Sequence, residues 1–359
     1  MIVMKFGGTS VGDAARVHQV ATIIEAQPSP RAAVVSAASG VTNMLLDAAR
    51  AAAVDGGELV AKLVADVRAR HHDIAAAIGD DQERAAAVAA LDQLHAALDD
   101  ALSDVDRAGE LSPRDADRIV ATGEKAMSVL LAAMLRSRGT PAVHVWADRV
   151  IATDNRYGNA RPDRALTREL AAQEVRPHLD AGQTVLFTGF IGRAPDGSTT
   201  TLGRGGSDYS ATLLGAALDA DEVQIWTDVP GVLSADPRQV PDARVVSGIS
   251  YDEAQELAHF GAKVLHPRTI RPAVSLGIPV RILSTFLPDE PGTLVTRDAP
   301  EESVKAVTAL NNLLLTIDVP ELEDLAAASA AVFGALHGDR IEVVAASQAS
   351  SRRRMTYVV

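Results

Sequence analysis

Two short apolar runs near the start of the chain, MIVMKF at 1–6 and AAVVS at 32–36, indicate its fold class. A Gly-Gly-Thr-Ser turn follows the first run. A stretch of helical periodicity from 13 to 26 comes next and is ended by Pro28 and Pro30. The order strand, turn, helix, strand is typical of a βαβ unit. Because parallel neighbours need such a crossover, the pattern predicts an α/β fold with a mainly parallel sheet.

The same alternation returns in the second half of the chain. Strand-like runs lie at 143–146, 184–190, 222–228 and 279–283. Helical stretches lie at 163–181, 208–220, 251–260 and 267–276. The loops between them are rich in Gly, Asp, Pro and Thr, so this half is predicted to supply further α/β units.

An alanine- and leucine-rich region from about 43 to 139 interrupts the alternation. Glycines at 56–57, 79 and 109 divide it, which predicts about four helices. The last helix has a clear start, with Ser112 as N-cap and Pro113 at the first helical position. His71 and His72 lie among Ala and Arg in this region, a pattern that favours a solvated surface over a metal site.

Composition excludes several classes of function. The chain has 359 residues, with 34 Lys+Arg and 47 Asp+Glu, so its net charge is 34 − 47 = −13. This acidity argues against nucleic acid or an anionic membrane as partner. The absence of cysteine excludes disulfides and thiolate chemistry. No signal-peptide pattern or apolar run of about 18 residues is found, so a cytoplasmic location is expected.

Three turns rich in small residues each follow a strand-like run. They are KFGGTS at 5–10, SAASGVT at 36–42 and TTTLGRGGSD at 199–208. Such turns let the backbone approach a ligand, and a helix N-terminus behind them favours an anion. Lys5 lies beside the first turn and Arg204 within the third, where Ser207 is predicted to cap the next helix. None matches a Walker A or GxGxxG pattern, and each alone could be an ordinary turn.

Three further residues are candidates for a site. Thr227 and Asp228 end a strand-like run, at the edge where open α/β sheets bind ligands. Glu124 lies close to the apolar face of the helix that begins at Pro113, and a buried carboxylate needs a partner. That partner is either an internal arginine or the ammonium group of a ligand.

Together the motifs resemble those of the aspartate kinases in the amino-acid-kinase superfamily. The matching stretches are KFGGTS, SAASGVTN, ATGE, FTGFIG, TTTLGRGGSD, IWTDVPGV, DPR and FGAKVLHP, in the family's order. The resemblance implies a three-layer αβα catalytic domain over 1–298 with a mainly parallel sheet. It also implies a partial ACT-like regulatory module over 299–359, a small α+β unit.

The resemblance also implies a role for each matched residue. Lys5 and Asp208 would be catalytic, the lysine by neutralising charge during transfer and the aspartate by organising that lysine and Mg²⁺-ATP. The aspartate pocket would consist of Ser36, Thr42, Glu124 (for the ammonium) and Arg204 (for the α-carboxylate). The ATP site would consist of Gly7, Gly8, Ser10, Thr227, Asp228, Arg238 and Lys263. No residue is implied as a direct metal ligand, since Mg²⁺ would arrive on the ATP phosphates.

The last segment of the chain predicts a βαββ unit. Its strands are placed at 304–318, 341–347 and 354–359 and its helix at 321–337, half of a ferredoxin-like unit. Exposed sheet edges need covering, so a homodimer through this tail is expected. The family usually carries two ACT domains, so feedback inhibition by lysine or threonine is expected to be reduced or altered.

The expected reaction is phosphorylation of the β-carboxylate of L-aspartate by ATP with Mg²⁺. This reaction opens the biosynthesis of lysine, threonine and methionine, or a dedicated secondary pathway. A carboxylate with a reference pKa of about 4 is already ionised at neutral pH, so no general base is required. Two alternatives remain: a related amino-acid kinase with a different carboxylate acceptor, and a non-catalytic amino-acid sensor.

Overall fold

The computed structural model of the chain describes residues 1–260, 265–299, 304–308, 312–318, 325–338, 341, 343–349 and 354–359. Its strands up to residue 296 are β1 (Ile2–Phe6), β2 (Arg31–Val35), β3 (Ala142–Val145), β4 (Thr184–Thr188), β5 (Ile191–Arg193), β6 (Thr199–Thr201), β7 (Glu222–Thr227), β8 (Gly248–Ser250), β9 (Val280–Ser284) and β10 (Thr293–Thr296). Its helices up to residue 276 are α1 (Ala14–Ala26), α2 (Val41–Ala52), α3 (Gly57–Ala76), α4 (Asp81–Ala108), α5 (Pro113–Ser137), α6 (Arg164–Glu174), α7 (Arg176–Asp180), α8 (Gly206–Leu218), α9 (Tyr251–His259) and α10 (Pro267–Leu276).

Eight of these strands form one sheet in the order β3-β4-β2-β1-β7-β9-β10-β8. The first six pair in parallel, β10 runs antiparallel to β9, and β8 pairs in parallel with β10. The predicted mainly parallel sheet is therefore confirmed. β5 and β6 form a separate antiparallel pair.

Helices cover both faces of the main sheet. On β1, Met4 and Phe6 belong to one buried cluster, together with residues of α1, α2 and α5. Val3 belongs to a second cluster, together with residues of α8 and α10. Alternate side chains of a strand point to opposite faces, and a parallel strand buried on both faces reads as a continuous apolar run. The predicted three-layer αβα arrangement is therefore confirmed.

The helical region has the four predicted helices, α2 to α5, and its breaks fall at the predicted glycines. Ser112 caps α5, since its side chain accepts a hydrogen bond from the backbone N–H of Asp115. The prediction for the histidine pair is wrong at His71, which is fully buried. Val64, Val67, His71 and Ile74 are buried at spacings of three and four, so they share the face of α3 that packs inward.

The sequence just before the predicted boundary at 298 contains β10, which lies inside the main sheet. The turn residues of this stretch lie on either side of β10. The strand conformation of β10 depends on its pairing with β8 and β9, which local sequence does not show. The division into units 1–298 and 299–359 stays a prediction.

The tail contains β11 (Leu314–Asp318), α11 (Leu325–Gly338), β12 (Ala345–Ala349) and β13 (Arg354–Val358). The strands form an antiparallel sheet in the order β11-β13-β12, as expected for a βαββ unit. The predicted strand at 304–318 is too long, because 304–308 has no strand structure. Instead, Lys305 forms an ion pair with Glu253 (2.9 Å), and the backbone N–H of Val307 donates to the Ser234 carbonyl (2.8 Å). None of the described helices combines the length and apolarity that a membrane crossing requires.

Candidate active site

A cleft of about 530 Å³ opens at the carboxyl end of β1, which lies between β2 and β7 in the sheet. Ligands of open α/β sheets bind at such a point, where the strand order reverses. The residues lining the cleft are Lys5, Ser36, Thr42, Glu124, Phe190 and the turn 203–208. The cleft thus brings together the six residues predicted for catalysis and for the acceptor: Lys5, Asp208, Ser36, Thr42, Glu124 and Arg204.

Two residues form an ion pair on one wall of the cleft. Lys5 lies near the end of β1, and its Nζ is 2.7 Å from Asp208 Oδ1. Asp208 lies in the first turn of α8, where the helix dipole favours a negative charge. The two side chains are only 12% and 19% exposed, so this charge pair is shielded from water and fixed in place.

The turn before α8 presents an open helix N-terminus to the cleft. Gly205 is the N-cap, with a left-handed φ of 69°, and no side chain of the described residues caps the helix. The prediction that Ser207 caps α8 is therefore wrong, because the helix begins at Gly206 and Ser207 lies inside it. Among the residues that the structure describes, Arg204 has no hydrogen-bond or ion-pair partner. An unpaired guanidinium and free N–H groups suit an anion.

Glu124 on α5 lines the cleft and is 3% exposed. Its Oε1 accepts a hydrogen bond from the backbone N–H of Ala37 (3.2 Å), while its Oε2 is buried and has no partner within the described part of the chain. Burial raises the pKa of this carboxyl group to about 8. No described arginine bonds to it, so of the two partners considered for Glu124, the ligand ammonium is the one that fits.

The loop after β2 contributes a second open helix N-terminus. Gly40 is the N-cap of α2, and within the described part of the chain no side chain caps this helix. Thr42 lies in the first turn of α2, and Ser36 follows β2 directly. Both line the cleft, as predicted for residues that contact an acceptor.

The turn KFGGTS at 5–10 does not lead directly into the predicted open helix N-terminus. After β1 the chain forms a short 3₁₀ helix at Gly8–Val11, and Asp13 caps α1 with its own carboxylate, so α1 offers no anion site. Gly8 lies so close to the loop after β2 that a Cβ atom would be 2.8 Å from the Ala37 carbonyl oxygen. Ser10 is fully buried and shares a hydrogen bond with Thr285 (2.7 Å), so its hydroxyl packs the loop rather than facing the cleft.

Of the residues predicted for ATP, those that the structure describes are not part of the cleft lining. Gly7 donates its backbone N–H to the Trp226 carbonyl (3.3 Å), which holds the first turn against the end of β7. Thr227 and Asp228 come next in the chain, and the Thr227 hydroxyl donates a hydrogen bond to the Asp228 carboxylate (3.1 Å). Arg238 is exposed and forms an ion pair with Asp236 (2.5 Å). Lys263 lies outside the described residues.

Phe190 lines the cleft but was not singled out from the sequence. Its φ of 70° lies in the left-handed region, which non-glycine residues seldom adopt. Its carbonyl accepts a hydrogen bond from the backbone N–H of Leu202 (2.8 Å), just before the turn of Arg204. Such backbone strain is held where surrounding contacts fix it, and it often marks a ligand site.

Asp117 is a second residue that sequence reasoning missed. It is buried on α5, seven residues before Glu124, and its carboxylate accepts three hydrogen bonds of 2.7–2.8 Å. The donors are the backbone N–H groups of Gly158 and Thr201 and the hydroxyl of Thr201. Burial raises the pKa of Asp117, and these hydrogen bonds oppose that shift. Asp117 thus fixes β6, which leads into the turn that carries Arg204.

We expect Asp117→Asn to displace that turn, because an amide NH₂ group would face donors where a carboxylate oxygen now accepts. Leaving a buried donor unsatisfied costs about 1–3 kcal/mol, so KM for the acceptor should rise roughly tenfold or more. Steady-state kinetics and thermal melting would measure this change. Asp106→Asn, at an exposed position on α4, is the matched control. An unchanged KM in a destabilised Asp117→Asn would contradict the positioning role.

Comparison with known proteins gives consistent matches over nearly the whole chain. Residues 1–284 match the model of the amino acid kinase family. The chain is 38% identical to lysine-sensitive aspartokinase 3 of Escherichia coli (strain K12), covering 98% of this chain and 77% of that protein. It is 36% identical to an aspartokinase of Chlamydia trachomatis, covering 88% and 69%. It spans only 40% of a chloroplastic bifunctional aspartokinase/homoserine dehydrogenase of Zea mays, at 34% identity.

Solved structures give the same result. The crystal structure of E. coli aspartokinase III in complex with lysine and aspartate matches with a TM-score of 0.88 and 35% identity, covering all of this chain and 78% of the other. The structure of the same enzyme in complex with aspartate and ADP matches with a TM-score of 0.85.

Proposed function

Because the chain belongs to the aspartokinases of the amino acid kinase family, we infer that it transfers the γ-phosphoryl group of ATP to the β-carboxylate of L-aspartate. The product is 4-phospho-L-aspartate. One observation from the cleft carries the inference. Among the described residues, one buried carboxylate oxygen of Glu124 has no partner and Arg204 is unpaired, and both side chains line the same cleft as Lys5. A zwitterionic amino acid with a second carboxylate satisfies all three.

We propose that the substrate is held by its α-amino and α-carboxylate groups. Glu124 binds the ammonium through Oε2, which has no partner among the described residues. Arg204 binds the α-carboxylate, and its planar guanidinium allows two parallel hydrogen bonds. Ser36 and Thr42 supply hydroxyl groups on the same lining. With both α-groups held, the β-carboxylate is directed toward Lys5.

The reaction needs electrostatic help more than proton transfer. A β-carboxylate oxygen attacks the γ-phosphorus, the bond to the bridging oxygen of ADP breaks, and no proton moves, because the acceptor is already ionised. The obstacle is repulsion between an anionic acceptor and a polyanionic donor. Lys5 and the open N-termini of α2 and α8 are fixed before the substrates bind, so they stabilise developing charge without reorganisation.

The nucleotide is proposed to enter from the side of β7, where Thr227, Asp228 and Arg238 lie, with Lys263 as a further contact. The related structure in complex with aspartate and ADP supports the use of a nucleotide. Magnesium, when bound on the phosphates, supplies further charge neutralisation. Asp208 is the carboxylate placed to help hold it, because Mg²⁺ prefers oxygen ligands and usually combines one or two carboxylates with phosphates.

An acceptor panel tests this function. Purified protein with Mg²⁺-ATP and hydroxylamine should form a hydroxamate with L-aspartate and much less with L-glutamate, whose extra methylene places its side-chain carboxylate beyond Lys5. Comparable kcat/KM for glutamate would favour the related-kinase alternative. A folded protein that binds ATP but forms no hydroxamate with any acceptor would favour the sensor.

Aspartate binding should release a proton below pH 8. Glu124 has a raised pKa of about 8 in the free protein and must ionise to hold an ammonium group. Affinity should therefore rise about tenfold per pH unit between pH 6 and 7 and level off above 8. Calorimetry in two buffers of different ionisation enthalpy should show nearly one proton released at pH 6.5. Equal heats in both buffers would contradict a neutral Glu124.

We also propose that a second copy pairs with the tail sheet. Among the described strands of the tail, in the order β11-β13-β12, β11 and β12 lie at the edges. Leu313, just before β11, and Leu314, its first residue, are 75% and 70% exposed. An open edge with apolar side chains is a template for another strand. The cytoplasmic location and the altered feedback inhibition stay predictions.

A further inference from the structure

A cluster of histidines between α3 and α4 takes no part in the proposed kinase site. His72 on α3 faces Asp92 on α4, with 3.9 Å between His72 Nε2 and Asp92 Oδ1. His95 lies three residues after Asp92, on the same face of α4. One ligand atom from each of His72, Asp92 and His95 lies within 4.8 Å of the others.

The His95 ring is buried and held in one orientation. It is 3% exposed, and its Nε2 is 3.0 Å from Nδ1 of His71, with the two rings 5° from parallel. Its other ring nitrogen, Nδ1, is buried without a partner among the described residues. His71 Nε2 is likewise buried without a partner among the described residues. Because a buried polar atom without a partner is costly, a ligand bound to His95 Nδ1 would stabilise the folded state.

The contact with His71 has the form that supports a metal ligand. Metal-binding histidines usually donate their second ring N–H to a neighbouring acceptor, which fixes the tautomer and the ring plane. The tautomer in which His95 Nε2–H donates to His71 leaves a lone pair on His95 Nδ1. Arg68 donates a hydrogen bond to the His95 carbonyl (3.4 Å), and its charge is paired with Asp99.

We propose that His72, Asp92 and His95 bind one divalent transition-metal ion, of which Zn²⁺ fits best, and that the ion links α3 to α4. Two imidazoles and one carboxylate form a ligand set that suits Zn²⁺, and water would complete a tetrahedron. Tetrahedral ligands lie about 3.3 Å apart, given bonds of about 2.0 Å. The His72 and Asp92 side chains are 41% and 65% exposed, so they are free to close that gap and an ion can enter between them.

Metal binding to the full chain tests the proposal directly. Protein stripped with a chelator should bind one equivalent of Zn²⁺ by calorimetry, and Co²⁺ should give the intense visible absorption of a tetrahedral site. His72→Ala and Asp92→Asn, both at accessible positions, should each weaken Zn²⁺ binding by about tenfold or more. His337→Ala on α11 and Asp106→Asn on α4 are matched controls and should bind as the wild type does.

Thermal melting gives a second readout that is independent of kinase activity. Because an ion that binds only the folded state stabilises it by mass action, Zn²⁺ should raise the wild-type melting temperature, and the chelator should reverse the rise. The rise should be lost in His72→Ala. Wild-type affinity no greater than that of His72→Ala and Asp92→Asn, or only the weak spectrum of hydrated Co²⁺, would overturn the proposal.

Discussion

Lys5→Met should lower kcat about 10³-fold while KM for Mg²⁺-ATP changes little. Lys5 is the cation fixed between the acceptor pocket and the turn before α8, and removal of one preorganised stabilising group costs about 10²–10³ in kcat. Methionine keeps the length of the apolar stem, so the change is mainly in charge. Hydroxamate formation at saturating aspartate would measure it. Lys62→Met, at an exposed position on α3, is the control and should leave kcat unchanged.

A double variant separates catalysis from folding. Lys5→Met leaves the shielded carboxylate of Asp208 without its partner, which destabilises the protein. Adding Asp208→Asn removes that buried charge, so the double variant should regain stability but stay inactive. Recovery of activity together with stability would mean that both Lys5 and Asp208 only support the fold.

Glu124→Gln should raise KM for aspartate about 10²-fold and leave KM for Mg²⁺-ATP unchanged. A neutral amide cannot pair with the substrate ammonium, and loss of a buried charge-assisted hydrogen bond costs about 1.5–3 kcal/mol. The ratio of kcat/KM for aspartate to that for succinate, which lacks the amino group, should fall by a similar factor. Glu110→Gln, an exposed change before α5, is the control.

Glu124→Gln should weaken aspartate binding but stabilise the ligand-free protein at high pH. Burial raises the pKa of Glu124 to about 8 in the folded state, above its ordinary value of 4.5. The folded state therefore binds more protons than the unfolded state between these pH values, and stability falls as pH rises through this window. Glu124→Gln should remove that fall, so the ligand-free variant should melt higher than the wild type at pH 8.5. A lower melting temperature with unchanged discrimination against succinate would show a structural role only.

Local signals were enough to predict most of the fold. The apolar runs that became β1, β2, β4, β7 and β9 are continuous, because parallel strands buried on both faces require that pattern. The glycines and Ser112 defined the limits of the helices, because helix caps and helix breaks depend on local sequence. β8 and β10 were missed because they are short, and their strand conformation depends on partners distant in the chain.

The site was predictable where a single residue carries its own signal. Glu124 stood out as a carboxylate near an apolar helix face, and Lys5 and Arg204 as cations beside glycine-rich turns. Asp117 and the buried His71 were missed because their environment comes from the packing of other segments. Asp117 accepts from Gly158 and Thr201, which helical periodicity alone does not bring near it.

The identity of the phosphorylated carboxylate tests the central claim most directly. The product formed from L-aspartate, ATP and Mg²⁺ would be reduced with borohydride, which converts an acyl phosphate to an alcohol, and the amino acid would be identified by chromatography. Because Arg204 and Glu124 are proposed to hold the two α-groups, the product should be homoserine, which comes from the β-carboxylate. Recovery of 3-amino-4-hydroxybutanoate, which comes from the α-carboxylate, or of no alcohol at all, would contradict the account.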